Sequence, residues 1–523
     1  MEHPALHQAM LKSTFYPGEA GPVEFHETHI SRLYLTHDHV YKLKKPVNFQ
    51  FLDFTTLEKR HFYCNEELRL NQRLCSDTYL DVLEIRQDGD SFHLGAGSGE
   101  IIDYLLRMKR LPEGRMLSNL LTAADPTLPG EMERLGRHLA YWHRTQPPVG
   151  GDENADLERT RRNWDENLRQ SAPLVENLLT ADAQNRMREE VEHFLTEQAP
   201  LLRKRQSTGQ VIDGHGDLHA EHICLTDPIR IYDCIEFNER FRLADRLADL
   251  AFLLMDLDYR GRRDLSAGVL QAYDETWGTD LDAPRLLRFY KSYRAWVRGK
   301  VLGFLAQDPE ADAATRTDAL ARGRRYFSLA LGYLCRRPSL ILTCGLMGTG
   351  KSVLAAELAT ALGAIHLRSD ELRKELAGLS PSSRDLSAFG EGLYHREATE
   401  RTYRALADRA ELHLAAGRTV IVDASFAEKG RRDDFRDLAR RQQRPLAILW
   451  LNCPDELLLE RLRQRRGDAS DGRPELLAAQ KRIFQPPCGE SRVLPVDTRD
   501  EVAYNVQRII CHLANPELQK EQT

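Results

Sequence analysis

No two cysteines of this chain stand in a CxxC pair, and nine is an odd count, so a complete disulfide framework is excluded and free thiols in a reducing compartment are expected. No apolar run approaches the roughly 20 residues that a membrane helix needs, and no charged-then-apolar leader opens the chain. These absences set the expectation of a cytoplasmic protein with no membrane partner. A large excess of either charge is lacking as well. The 73 Lys and Arg against 79 Asp and Glu leave a net charge of −6 at pH 7, so the summed field offers no general attraction for nucleic acid and any anion must be bound locally. What is present, 41% hydrophobic and 29% charged residues, describes a globular chain with a large core rather than a disordered one. At 523 residues it is too long for one core, and division into domains is expected, with two as the starting count.

Within residues 23–52 the pieces "RLYLT" and "VYKLKK" alternate apolar and polar, which predicts antiparallel strands. "TLEKRHFYCNEELRLNQRL" follows with helical spacing, placing Leu57, Phe62, Leu68, Leu70 and Leu74 on a wide apolar side. "YLDVLEIR" and "IIDYLLRMKRL" read as strands, after which Pro112 and Gly114 mark a connection. From Met116 the text is helical apart from the short strand "IRIYD". It changes at "CRRPSL". Pro338 breaks the helical text, and "LILTC", "AIHL", "TVIVD", "LAILWL" and "RVLPVD" then alternate with helices, the pattern of a parallel α/β sheet. The boundary is placed near residue 337. The charge-dense "RRDDFRDLARRQQR" reads as the solvated face of a helix.

"GLMGTGKS", Gly345 to Ser352, fits G-x-x-x-x-G-K-[ST] between a strand and a helix. Gly345, Gly348, Thr349 and Gly350 would offer backbone N–H groups to the phosphates of ATP, Lys351 a charge, and Ser352 its hydroxyl to Mg2+. Asp423 ends "TVIVD", from where a carboxylate can hold the metal's water shell. Ala424 and Ser425 follow it, so a second carboxylate to activate water is missing and transfer to a hydroxyl fits better than hydrolysis. In "HLRSDELRKEL", Asp370 is placed to accept a proton from an attacking hydroxyl, the alternative being a helix cap, and Arg373 could hold an anionic substrate. "ERLRQRRGDASDGRPE" reads as a lid in which one of Arg461, Arg465 and Arg466 neutralises transferring oxygens, with Arg465 taken as the candidate. Residues 338–515 thereby resemble the small P-loop kinases that phosphorylate hydroxyls, a group that includes polynucleotide 5′-kinases, gluconate-kinase-like enzymes and zeta-toxin-like kinases.

"GHGDLHAEHICL", Gly214 to Leu225, brings His215, Asp217, His219, Glu221 and His222 together. A zinc site is one reading, but no established ligand spacing is present. Phosphotransfer predicts distant companions in a fixed order: a strand lysine, a helix glutamate, a loop aspartate as base, and a metal-binding aspartate after the next strand. Lys42 in "VYKLKKP", Glu67 or its neighbour Glu66 in "CNEELRLNQRL", Asp217, and Asp233 in "IYD" supply them in that order. This half resembles the aminoglycoside phosphotransferase and choline-kinase-like family. The resemblance implies a nucleotide roof before Met108, a hinge at "RMKRLPEG", a helical acceptor lobe, and structural support of the loop by Asp249. It also places His222 where that family carries a metal-binding asparagine, and an imidazole is a softer ligand than an amide oxygen. The whole chain resembles bacterial bifunctional aminoglycoside phosphotransferase-like/ATP-binding proteins.

The expected fold is mixed, α/β plus α+β. A two-lobed protein-kinase-like domain at 1–337, with an N-lobe at 1–108 and a helical C-lobe at 114–337, precedes a parallel-sheet P-loop NTPase domain at 338–523. The expected function is a bifunctional phosphotransferase using ATP and Mg2+. Asp217, Asp370, Lys351 and Arg465 would be catalytic, Lys42 and Glu67 would bind nucleotide beside the P-loop residues, and Asp233, His222, Ser352 and Asp423 would hold metal. The acceptor would be a hydroxyl of a small or nucleotide-like molecule, or a nucleic-acid 5′ end. The rival reading makes the first domain a nucleotide sensor that binds without catalysis and gates the second.

Overall fold

The computed structural model describes residues 4–49, 52–335, 337–380, 383, 391–464 and 472–515. It divides into two compact units, Met1–Arg162 with Glu197–Tyr290, and Asn163–Thr196 with Lys291–Thr523. This spatial division does not follow a single cut at residue 337. The secondary structure changes there, but part of the preceding helical text is grouped with the unit that carries the C-terminal sheet.

The first unit is built on six antiparallel strands, β1 (Glu24–Glu27), β2 (Ser31–Leu35), β3 (His39–Lys44), β4 (Tyr79–Asp88), β5 (Ser91–Leu94) and β6 (Glu100–Lys109), in the order β1-β2-β3-β6-β4-β5. Four short strands frame its functional loop: β7 (Val211–Asp213) pairs with β10 (Leu243–Asp245), and β8 (Ile223–Cys224) with β9 (Arg230–Ile231). The helix Leu57–Asn71 lies on β4 and β6, but its buried residues are Arg60, Cys64, Glu67, Leu70 and Asn71, while Phe62 is exposed. The expected apolar face is therefore corrected to one that is largely polar. Burial of those groups is tolerated because they are paired, Arg60 with Asp103 at 2.8 Å and Glu67 with two lysines. Helix Arg246–Tyr259 is buried along almost its full length and forms the centre of the helical part. Helices Leu128–Thr145 and Arg263–Trp277 meet closely at Gly136, where a Cβ would come within 2.4 Å of the Val269 carbonyl oxygen.

The second unit carries a five-stranded parallel sheet of β11 (Leu340–Cys344), β12 (Ile365–Arg368), β13 (Val420–Asp423), β14 (Leu446–Asn452) and β15 (Val493–Asp497), ordered β12-β13-β11-β14-β15. β11 is buried at every residue, as expected for a strand covered on both faces. Helix Ala313–Gly332 packs against helices Lys351–Leu362 and Val502–Leu513 of the same unit. The helix in the charge-dense stretch, Lys429–Arg441, is not simply a solvated face. Arg432 is fully buried and, with Arg436, grips Glu490, while its Nη1 donates to the Phe426 carbonyl at 2.7 Å.

Candidate functional site

Residues two apart on a strand share a face, and on β3 this puts Lys42 and Lys44 side by side toward the buried Glu67. Lys42 Nζ lies 2.8 Å from Glu67 Oε1, and Lys44 Nζ lies 2.6 Å from Glu67 Oε2. Glu66 instead pairs with Arg69 at 2.7 Å on the helix's outer side. Lys42 also reaches Asp233 Oδ1 at 2.6 Å, and Lys44 reaches Glu236. Asp233, Glu67 and Glu236 thus form a chain of carboxylates linked by two lysines. The sequence reasoning missed Lys44 and Glu236. The K-L-K repeat on a strand and the second acid three residues after Asp233 are the signals that point to them.

Asp233 does not end a long strand. β9 stops at Ile231, and Asp233 sits in a left-handed conformation with φ of 62°, its N–H donating to the Tyr79 hydroxyl at 3.2 Å. The side chain keeps 39% exposure, so it faces an opening. Burial works to raise its pKa, but the charge of Lys42 and the hydrogen bond that it donates prevail and hold the carboxyl well below the usual range. For Lys42, burial favours the neutral form, and Asp233 and Glu67 outweigh it, so the ammonium is held well above its ordinary pKa.

The loop from Gly214 to His222 is anchored by Asp249, which accepts the N–H groups of His215 at 3.0 Å and Gly216 at 2.8 Å. A Cβ at Gly214 would lie 2.9 Å from the Asp249 carboxyl carbon, and Gly216 has φ of 84°. Asp256 accepts the Ala220 N–H at 3.0 Å from the same central helix. The histidines divide their work. His215 donates from Nε2 to the Tyr232 carbonyl at 2.9 Å and accepts the Asp217 N–H on Nδ1 at 3.2 Å, so both nitrogens are engaged within the loop. Burial lowers its pKa to about 4, keeping it neutral. His219 Nδ1 accepts the Glu221 N–H at 3.4 Å, which turns Nε2 toward Asp217 Oδ2, also at 3.4 Å. His222 Nδ1 lies 3.0 Å from the Asp217 carbonyl oxygen, and its Nε2 lies 3.4 Å from Asp233 Oδ2. Burial and the neighbouring His219 lower the His222 pKa. Donor atoms of Asp217, His219 and His222 lie within 4.8 Å of one another, close enough to share a cation. The structure therefore brings Lys42, Glu67, Asp217, His222 and Asp233 into one neighbourhood.

In the second unit, β11 delivers the chain into Gly345 to Ser352. Gly345 has φ of 151°, and a Cβ there would approach the Leu451 carbonyl oxygen to 2.5 Å. Gly348 and Gly350 are left-handed, with φ of 81° and 86°. Helix Lys351–Leu362 starts directly behind the loop, directing its N-terminal N–H groups into it. Lys351 Nζ donates to the Leu346 carbonyl at 2.8 Å, and Thr349 Oγ1 to the same oxygen at 2.8 Å. Asp423 is buried at the end of the neighbouring β13. Burial raises its pKa, while the neighbouring His366 and Ser352 side chains and the charge of Lys351 lower it, and the net effect is a lowered value that keeps it ionised. His366 Nε2 stands 3.4 Å from Asp423 Oδ2, a neighbour that the sequence reading did not include.

Asp370 is the second residue of helix Ser369–Leu376, and no side-chain hydrogen bond caps that helix. It accepts from the Tyr394 hydroxyl at 3.2 Å. Arg373 does not present itself as a substrate anchor. It is buried, lies over the Tyr394 ring at 4.6 Å, and donates to Leu393 O and Thr399 Oγ1, so it braces the segment that carries Tyr394. Arg461 donates to Thr498 O at 2.7 Å and Oγ1 at 3.0 Å, and its Nη1 stands 3.7 Å from where a Gly350 Cβ would be. Arg465 and Arg466 lie outside the described residues.

Comparison with known proteins gives two family matches. Residues 66–290 match a model described as phosphotransferase enzyme family, and residues 340–487 match one described as AAA domain. The chain is 32% identical over 463 residues to uncharacterized protein Rv2004c of Mycobacterium tuberculosis, covering 87% of this chain and 89% of that protein. Uncharacterized protein Mb2027c of Mycobacterium bovis matches to the same extent. Among solved structures, a gluconokinase from Sinorhizobium meliloti is 26% identical over 35% of this chain and 99% of that one, with a TM-score of 0.27.

Proposed function

This chain belongs to the same family as the two mycobacterial proteins, joining a phosphotransferase-family part to a P-loop kinase part, and from that premise we propose that each part transfers the γ-phosphate of ATP to a hydroxyl of its own acceptor. The protein is an ATP-dependent kinase. The further claim, two active sites in one chain, rests on one observation above all: Lys42 Nζ is held between Glu67 and Asp233, residues brought from three separate segments, with the Asp217 loop beside them.

In the first site, the phosphates of ATP would meet the Lys42 ammonium, which Glu67 fixes in place. An acceptor hydroxyl approaching Asp217 would lose its proton to the carboxylate as its oxygen bonds to the γ-phosphorus and the bond to ADP breaks. His219 Nε2–H faces Asp217 Oδ2 at 3.4 Å, and His222 Nδ1–H holds the Asp217 backbone carbonyl at 3.0 Å, so the two rings would orient that residue. In the second site, the N–H groups of the Gly345–Ser352 loop and Lys351 would hold the phosphates, with Asp370 as base and Arg461 beside the loop. The electrostatic setting suits a divalent cation in both sites. Asp233 with His222, and Ser352 with Asp423, are the residues that would hold Mg2+, whose contribution when bound is to neutralise phosphate charge.

Phosphorus NMR of ATP incubated with a metabolite extract tests this reading. Asp217→Ala should abolish one phosphorylated product and Lys351→Ala another. If every product depends on Lys351 alone, the first part is a sensor rather than a kinase. Labelling of a 5′-hydroxyl oligonucleotide would assign a nucleic-acid end to the second site.

A further inference from the structure

The cation position beside Asp233 has a feature that the proposed phosphotransfer reading does not use. A carbonyl oxygen only accepts hydrogen bonds, so the 3.0 Å contact between His222 Nδ1 and Asp217 O places the ring hydrogen on Nδ1. In the neutral ring, Nε2 is then a bare lone pair, and it faces Asp233 Oδ2 at 3.4 Å. Two electron-rich atoms facing each other inside a site call for a positive charge between them. Two ligands bound to one ion at about 2.1 Å stand roughly 3.0–3.5 Å apart, so the observed separation is already that of two ligands of one metal. His219 does not compete for this role, because its Nδ1 accepts the Glu221 N–H and its Nε2 turns to Asp217. Asp233 is held from its other side by Lys42 at 2.6 Å on Oδ1, which leaves Oδ2 for the cation.

We infer that this position prefers a first-row ion such as Mn2+ to Mg2+, with His222 Nε2 and Asp233 Oδ2 as its protein ligands. Mg2+ keeps to carboxylate, water and phosphate oxygens, whereas Mn2+ accepts the same oxygens and opens the first-row series in which a nitrogen donor adds affinity. Nucleotide phosphates and water complete the shell. The inference rests on the reading that the first part binds nucleotide.

The test uses the full chain carrying Lys351→Ala and His366→Gln, which removes the P-loop lysine and the imidazole next to Asp423. Mn2+ with a non-hydrolysable ATP analogue is added, and pulsed EPR reads nitrogen directly bonded to the ion. Directly bonded nitrogen is expected, replaced by the 15N pattern when the histidines are 15N-labelled. His222→Asn should abolish the signal and lower the preference for Mn2+ over Mg2+, measured by competition, by roughly tenfold or more, since even outer partners of metal ligands are worth 10–100-fold. Mn2+ bound with analogue but without nitrogen, or a signal that survives His222→Asn, overturns the inference alone. A parent chain that binds no Mn2+ and analogue overturns the nucleotide-site reading and the inference with it. If His222→Asn does not fold, the labelled parent spectrum decides.

Discussion

Glu67 and Glu66 are adjacent identical side chains, and the structure gives them opposite weight. Glu67→Gln keeps the shape but removes the charge shared by Lys42 and Lys44, both with side chains at most about a tenth exposed. Lys42 is left with Asp233 as its carboxylate and Lys44 with Glu236. Breaking a buried ion pair by removing one partner costs about 3–5 kcal/mol. For a unit of this size each kcal/mol moves Tm by about 2–4 °C, so the loss of the first unit's structure should come about 6–20 °C earlier. Glu66→Gln removes only an exposed pair with Arg69 and should stay within about 1 kcal/mol of wild type. Differential scanning calorimetry of both variants makes the comparison. ATP added in excess should raise the wild-type transition of this unit and fail to raise that of Glu67→Gln, because Lys42 has lost the group that aims it. Equal effects of the two substitutions, or a Glu67→Gln protein still stabilised by ATP in this unit, would refute the reasoning.

Asp156 is buried, and its Oδ2 has no hydrogen-bond partner among the described residues. Burial, then the charge of Asp245, raises its pKa to about 7. The folded state holds this proton more tightly than the unfolded chain, so its stabilising effect is present below the ordinary carboxyl pKa and is lost as pH rises through about 7. Asp156→Asn should therefore gain in Tm relative to wild type between pH 5 and pH 8, and a difference independent of pH would count against it. Gly216→Ala meets a left-handed φ of 84° with the Phe241 carbonyl oxygen 3.1 Å from the new Cβ, so a loss of about 1–3 kcal/mol is expected in urea unfolding, with Gly268→Ala, where the Cβ meets open space, as the control. Gly345→Ala places its Cβ 2.5 Å from Leu451 O and should abolish ATP-dependent phosphorylation by the second site while Asp217-dependent product persists.

The strands of the C-terminal sheet were legible because parallel strands covered on both faces read as continuous apolar runs, as "LILTC" does in β11. That Lys42, Glu67 and Asp233 would meet could be expected from their order in the chain, and their side chains do meet. The inner face of helix Leu57–Asn71 was not legible, since its buried residues are polar and only the partners at Lys42, Lys44 and Asp103 explain them. Nor do the three histidines of "HGDLHAEH" announce their separate roles. Which nitrogen of each ring faces a carbonyl, an N–H or a carboxylate is settled by groups such as Tyr232 and Asp233, which lie beyond the motif. The packing of helix Ala313–Gly332 against helices Lys351–Leu362 and Val502–Leu513 was hidden as well, because an amphipathic helix does not record which partner covers it. At Gly332 a Cβ would approach Ala361 O to 2.1 Å, a closeness that appears only in three dimensions.

The central claim is that one chain holds two independent nucleotide sites. Equilibrium dialysis with a non-hydrolysable ATP analogue tests it most directly. The account predicts two moles bound per wild-type chain, one for Glu67→Gln, one for Lys351→Ala, and none for the double variant. A wild-type chain that binds a single mole, lost entirely with Lys351→Ala and untouched by Glu67→Gln, would contradict it.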